Sequence, residues 1–201
     1  MNIALIIAGG SGQRMKQEIP KQFINVNDKP VVIYTLEAFQ NHPNIDEIGV
    51  VCIEGWMQVL EAYARQYHIT KLKWVVPGGG NGQGSIRNGV EECSRRYDES
   101  ATILVHDAIR PMVSAEIISD CIVQCETHGS AVSVVPCNTV ALKKTSDTFS
   151  TEVDPRDTIA LTQTPQAFPL KKLAWAHREA LARGITNAVA SCSMMIDLGE
   201  K

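Results

Sequence analysis

Short unbroken apolar runs alternate along this chain with longer stretches whose apolar residues recur every three to four positions. The two periods predict different elements. Ile3-Ala4-Leu5-Ile6-Ile7 is apolar at every position, as a strand buried on both faces must be. Runs rich in Val, Ile and Leu predict further strands over 47–53, 73–76, 102–106 and 131–136. Helical spacing predicts helices over 29–40, where Val32, Leu36 and Phe39 share a face, and over 56–67, 85–97, 115–129 and 170–183. Asn41-His42-Pro43-Asn44 stops the first of these and Gly184 closes the last. Such alternation specifies an α/β chain with a mostly parallel sheet and helices on both faces. Between 136 and 160 the pattern changes. Residues 139–143 read as a strand and Thr145-Ser146-Asp147 as a turn, so a hairpin-like arm of about 137–160 protrudes from the core. Trp56, Trp74 and Trp175 fall within these patterns and read as core or interface residues.

Composition narrows the picture without deciding it. The 201 residues suit one α/β domain. A net charge of −3 offers no basic surface for nucleic acid. No apolar run reaches the ~18 residues a membrane helix needs. The N-terminus lacks a basic stretch followed by a small-residue cleavage site, which predicts a cytoplasmic protein. Six cysteines (52, 93, 121, 125, 137 and 192) form no Cys-x-x-Cys pair and no zinc-like spacing, and read as core residues rather than metal ligands or disulfides.

The candidate chemistry sits where loops leave the carboxyl ends of the predicted strands, the usual ligand edge of such a sheet. The first strand runs into Ala8-Gly9-Gly10-Ser11-Gly12-Gln13-Arg14, and Pro20-Lys21-Gln22-Phe23 follows. Small residues let backbone N–H groups approach an anion closely. Arg14 and Lys21 supply the charge to neutralise it, so the segment reads as a triphosphate cradle. It is neither a dinucleotide fingerprint, because Met15 stands where glycine is needed, nor a P-loop, because no Gly-Lys-Ser/Thr occurs there. The third strand leads into five glycines within 78–84, a loop stripped for reading a flat base edge. Ser85 reads as the N-cap of the next helix, with ribose or base contact as the alternative. The fourth delivers His106-Asp107-Ala108-Ile109-Arg110-Pro111. Asp107 is a candidate magnesium ligand or a turn residue, and Arg110 either meets an acidic substrate or pairs with Asp107.

Taken in order, Ala-Gly-Gly-x-Gly-x-Arg-Met, Pro-Lys-Gln-Phe, Gly-Gly-x₅-Ser-Ile, Val-His-Asp-Ala-x-Arg-Pro and Thr-Gln-Thr-Pro-Gln-x-Phe resemble the cytidylyltransferases that make CDP-linked polyols. Members act on 2-C-methyl-D-erythritol 4-phosphate in isoprenoid synthesis or on D-ribitol 5-phosphate for teichoic acid and capsule. The resemblance spans about residues 3–186. It implies a Rossmann-like fold, CTP and a polyol phosphate as substrates, Mg²⁺, and a homodimer joined through the arm. Ala8, Gly9, Gly10, Ser11 and Gly12 would wrap the triphosphate, with Arg14 and Lys21 stabilising the α-phosphate. Gly79, Gly80 and Ser85 would recognise cytidine, and Asp107 would stand at the metal. Arg110, Thr139, Thr164 and Thr186 would hold the acceptor together with Arg156, which would reach the neighbouring subunit's site.

The implied chemistry is in-line attack of the acceptor's phosphate oxygen on the α-phosphorus of CTP. A phosphate monoester is already nucleophilic, so no general base is needed and His106 reads as a packed or orienting residue. Three departures from the family pattern stand out. Gly82 occupies the usual place of an arginine, so Gln83 is expected to contribute to the base loop instead. Thr186 is followed by Asn187 rather than an acidic residue. The family pattern continues past Lys201 with a strand, a helix and a phosphate-binding lysine, so the given chain is expected to bind CTP but turn over poorly. A related transferase using UTP or GTP, and a non-catalytic nucleotide-binding module, are the alternatives.

Overall fold

The computed structural model describes residues 1–10 and 19–200. Six strands form the central sheet. In chain order they are β1 (Asn2–Ala8), β4 (Glu47–Cys52), β5 (Leu72–Pro77), β6 (Thr102–Asp107), β7 (Ala131–Pro136) and β10 (Ala160–Pro169). Their spatial order is β5-β4-β1-β6-β10-β7, and the first four are parallel. Helices α1 (Val31–Gln40), α2 (Met57–Gln66) and α4 (Ala115–His128) cover one face, and α3 (Gly82–Arg96), α5 (Leu170–Ala182) and α6 (Ser191–Asp197) the other.

The apolar run in β1 is explained by this double cover. Ala4, Ile6 and Ala8 point into the core shared with α1, α2 and α4, while Ile3 and Leu5 point into the core shared with α3 and α5. Trp74 is buried, and its indole N–H donates to the Tyr97 hydroxyl, which in turn donates to Glu47 (2.9 and 2.7 Å). Trp56 stacks on Phe23 with ring centroids 4.7 Å apart. Five of the six cysteines are buried, and burial pushes the thiols of Cys52 and Cys93 up to about 12, as inert packing groups require. Among the described residues no helix is long and apolar enough to cross a membrane.

The pattern reading needs four corrections. β10 was not expected. Its Thr-Gln-Thr-Pro-Gln run carries no alternation, and a proline argues against a strand. Pro165 falls where the ladder with β7 shifts register between Thr162 and Gln166. β10 runs antiparallel to both β6 and β7, so the sheet is mixed at that edge. The first helix starts at Val31 because Lys29–Pro30 (β3) pairs with Asn25–Val26 (β2) across a turn with positive φ at Asn27 and Asp28. α3 begins at Gly82, inside the glycine run, and α6 lies beyond the predicted elements. The arm is present as β8 (Ala141–Lys143) and β9 (Glu152–Asp154), an antiparallel pair in a sheet of its own.

Candidate active site

Register sets the site. Ala8 lies beside Cys52 and Ile7 beside Asp107, so the carboxyl ends of β1, β4 and β6 are level and their loops open onto one edge. A cavity of about 470 Å³ lies there, lined by Ala8, Gly9, Lys21, Gly79, Ser85 and Asp107 among others.

Its walls are backbone held by side-chain amides and hydroxyls. The Gly9 and Gly78 backbones pass so closely that a Cβ on Gly9 would stand 3.3 Å from the Gly78 Cα. A Cβ on Gly79 would meet the Gly84 carbonyl carbon at 2.5 Å, so no other residue fits without moving the start of α3. Asn81 is the N-cap of α3, its Oδ1 accepting from the Gly84 N–H at 2.8 Å. Ser85, expected as the cap, is instead inside the first turn. Its hydroxyl accepts from the Gly79 N–H (3.0 Å) and donates to the Asn81 carbonyl (2.9 Å), which ties the loop to the helix. The Gln22 Nε2 donates to the Ala8 and Gly10 carbonyls at 2.6 and 3.0 Å, fastening the Lys21 segment to the first loop. Lys21 is half-buried at the cavity wall, and among the described residues no carboxylate lies within salt-bridge reach of it. Ser11, Gly12 and Arg14 lie outside the described residues.

The other side of the edge is built from charges. Asp107, at the end of β6, accepts from the Arg110 Nε at 2.8 Å, and the same guanidinium reaches Gln163 through Nη1. The Thr164 hydroxyl accepts from the Asp107 N–H at 3.4 Å. β10 thus brings Gln163 and Thr164 up to the Asp107–Arg110 pair. His106 is fully buried, and burial lowers its pKa to about 4. As a neutral ring it donates from Nε2 to the Arg110 carbonyl at 3.0 Å, so the ring's one hydrogen bond among the described residues is to the loop that carries Arg110. A groove of about 800 Å³ continues from Arg110 and Thr164 past Val132 and Val134 of β7, and Ile109 lines both spaces.

Thr186 is exposed, and its carbonyl accepts from the Asn81 Nδ2 at 2.8 Å, which ties it to the start of α3. Thr139 and Arg156 line neither cavity. Thr139 is exposed between β7 and β8, and Arg156 is exposed in a single 3₁₀ turn after β9. Gln83 does not line the cavity. Its side chain turns to the segment after α5 instead of serving the base loop. Sequence reasoning assigned no role to Gln22, Gln163 or Asn81. Gln22 and Gln163 stood within recognised motifs, and asparagine three residues before Gly84 is a legible cap signal.

A backbone-walled anion pocket at the carboxyl edge of a doubly covered sheet, with a lysine on one side and an aspartate–arginine pair on the other, defines an α/β nucleotide-handling enzyme. The comparisons specify which. The chain matches, over residues 2–199, the family model of 2-C-methyl-D-erythritol 4-phosphate cytidylyltransferase (IspD), and it belongs to that family of cytidylyltransferases. It is 42% identical to the ribitol-5-phosphate cytidylyltransferase of Lacticaseibacillus paracasei, covering 99% of this chain and 86% of that one. It is 36% identical to the 2-C-methyl-D-erythritol 4-phosphate cytidylyltransferase of Clostridium botulinum, over 83% of this chain and 72% of that one. In fold it is similar to the 4-diphosphocytidyl-2C-methyl-D-erythritol synthase of Anaerococcus prevotii, with a TM-score of 0.84 at 22% identity, over 100% of this chain and 83% of that one.

Proposed function

We propose that this cytidylyltransferase moves CMP from CTP onto D-ribitol 5-phosphate, forming CDP-ribitol and pyrophosphate. The cavity between the Gly9 and Gly79 loops, facing Asp107 and Arg110, carries the transfer reading. The preference for ribitol rests on the relatives named for that acceptor, at 42% and 41% identity, against 36% for those named for the methylerythritol acceptor. Transfer to 2-C-methyl-D-erythritol 4-phosphate is the second reading, favoured by the family model.

In this reaction an oxygen of the acceptor phosphate bonds to the α-phosphorus of CTP as the bond to the pyrophosphate oxygen breaks. Both reactants are polyanions, so charge neutralisation and alignment are the main tasks. Lys21 offsets charge at the α-phosphate, with Arg14 as its partner cation. Arg110 meets the acceptor phosphate, held in direction by Asp107 and Gln163. Gly79, Gly80 and Ser85 receive the cytidine. Asp107 is the one carboxylate lining the cavity among the described residues, and no cluster of three ligating side chains occurs there. That donor set suits Mg²⁺ brought in with the nucleotide: Asp107 would hold it from the protein side, and it would supply charge stabilisation.

The acceptor side is completed by a second subunit in this reading. The arm exposes Val140, Leu142, Phe149 and Val153, with Phe149 at 65% and Val140 at 74%, more apolar surface than an isolated hairpin leaves in water. Thr139 and Arg156 lie on that arm, so Arg156 of the partner subunit would reach the Arg110 pocket.

The test is pyrophosphate release from CTP and Mg²⁺ with each acceptor offered separately. Faster turnover with ribitol 5-phosphate is expected, and turnover with only the methylerythritol acceptor would reverse the assignment. Mixing Lys21→Ala with Arg156→Ala chains checks the arm. Exchanged arms should restore about a quarter of wild-type activity, since half the dimers then hold one intact site. Subunits that work alone would restore none.

A further inference from the structure

The segment between α5 and α6 carries no regular structure, so its backbone polar groups need partners from elsewhere. Gln83 supplies two of them. It sits in the first turn of α3, within the nucleotide loop, yet it is only 8% exposed and faces away from the cavity. Its Nε2 donates to the Ile185 carbonyl at 2.6 Å, and its Oε1 accepts from the Ala188 N–H at 2.7 Å. Asn81 adds a third bond, from Nδ2 to the Thr186 carbonyl. Farther along, the Gln166 Oε1 accepts from the Cys192 N–H at 3.1 Å. The grip therefore closes on both sides of Thr186.

We propose that Gln83 is a positioning residue that clamps the 185–188 segment against the nucleotide loop and so sets where Thr186 meets the acceptor phosphate. The inference rests on the acceptor-binding role that the family resemblance implies for Thr186, within the proposed transfer reaction. The Gln83 carboxamide donates to one carbonyl and accepts from one N–H through two different atoms; an ionised glutamate keeps the acceptor and loses the donor. The nucleotide loop does not need Gln83. Asn81 and Ser85 brace it through Gly84, Gly79 and the Asn81 carbonyl. Loss of the clamp should therefore loosen the acceptor side and leave CTP binding intact.

The experiment compares wild type with Gln83→Ala and the nearly isosteric Gln83→Glu, reading three quantities. These are amide exchange across 185–190, KM for ribitol 5-phosphate, and Kd for CTP by calorimetry. The expected result is exchange and acceptor KM each raised about tenfold in both variants, with CTP Kd within about twofold of wild type. An unchanged acceptor KM despite faster exchange would overturn the positioning role. A CTP Kd that rises with KM would return Gln83 to the nucleotide loop and overturn it as well. A wild type that turns over neither polyol phosphate would overturn the reaction, and the acceptor role with it. The exchange data would still report whether the clamp exists.

Discussion

The sides proposed for the nucleotide and for the acceptor share one sheet edge but are made of different material. On the nucleotide side, three loops approach so closely that backbone forms the wall, and Gln22, Asn81 and Ser85 serve as internal braces. On the acceptor side, exposed charges at the tip of β6 are oriented by one another and by β10, and further residues stand out on the arm. Where the backbones touch, as at Gly79, the wall has little give, because an added Cβ would stand 2.5 Å from the Gly84 backbone. A network of half-exposed side chains yields by degrees, because solvent and alternative rotamers absorb part of each change.

This contrast predicts a graded series of effects. Lys21→Ala removes the cation of the described cavity wall that the proposed reaction sets at the α-phosphate, and should lower kcat roughly 10²- to 10³-fold with little change in acceptor KM. A drop below about tenfold would shift the burden to Arg14. Gly79→Ala places a Cβ 2.5 Å from the Gly84 backbone and should lower kcat/KM for CTP roughly a hundredfold. Gly82→Ala is its control. A Cβ there meets nothing within 4 Å, and activity should stay within about twofold. Equal effects at the two positions would remove the argument for a backbone wall.

Acid sensitivity belongs to the scaffold behind both sides. His177 of α5 is buried against α3 with neither ring nitrogen partnered among the described residues, and burial lowers its pKa to about 4 from 6.5. Between those values the unfolded chain binds more protons, so stability is full above about pH 6.5 and falls as pH drops towards 4. At about pH 5 this histidine costs about 2 kcal/mol. In urea unfolding, His177→Leu should reduce the loss between about pH 7 and about pH 5 by that amount. An identical loss in the variant would place the proton uptake elsewhere. Apart from the Gly82 control, the smallest change in activity is expected for Arg110→Lys. A lysine keeps the charge but loses the fork shared by Asp107 and Gln163, raising acceptor KM about tenfold with CTP affinity unchanged.

The two sides also differed in how far they could be read beforehand. The glycine run, Lys21 and the Asp107 loop lie in contiguous segments directly after strands, and a sheet register that levels the strand ends is enough to bring them together. Thr164 was legible as part of a motif, but its place beside Asp107 depends on β10, whose threonines, glutamines and prolines carry no strand period. Asn81 rather than Ser85 caps α3, because the helix starts three residues earlier than apolar spacing indicated. Gln83 was expected at the base and instead reaches a segment more than a hundred positions away.

The order of residues alone determined the parallel strands and most of the helices that cover them, because apolar runs and helical spacing are local properties, whereas β10 joined the sheet only through its pairing with β6 and β7. That order also determined which strand-end loops carry the glycines and cations, since their spacing is a property of a few adjacent residues. Tertiary structure decided which side chains act and which merely hold. A carboxamide such as that of Gln22 or Gln83 carries no charge and no periodicity, and its role is fixed only by which backbone groups the fold leaves unpaired within its reach.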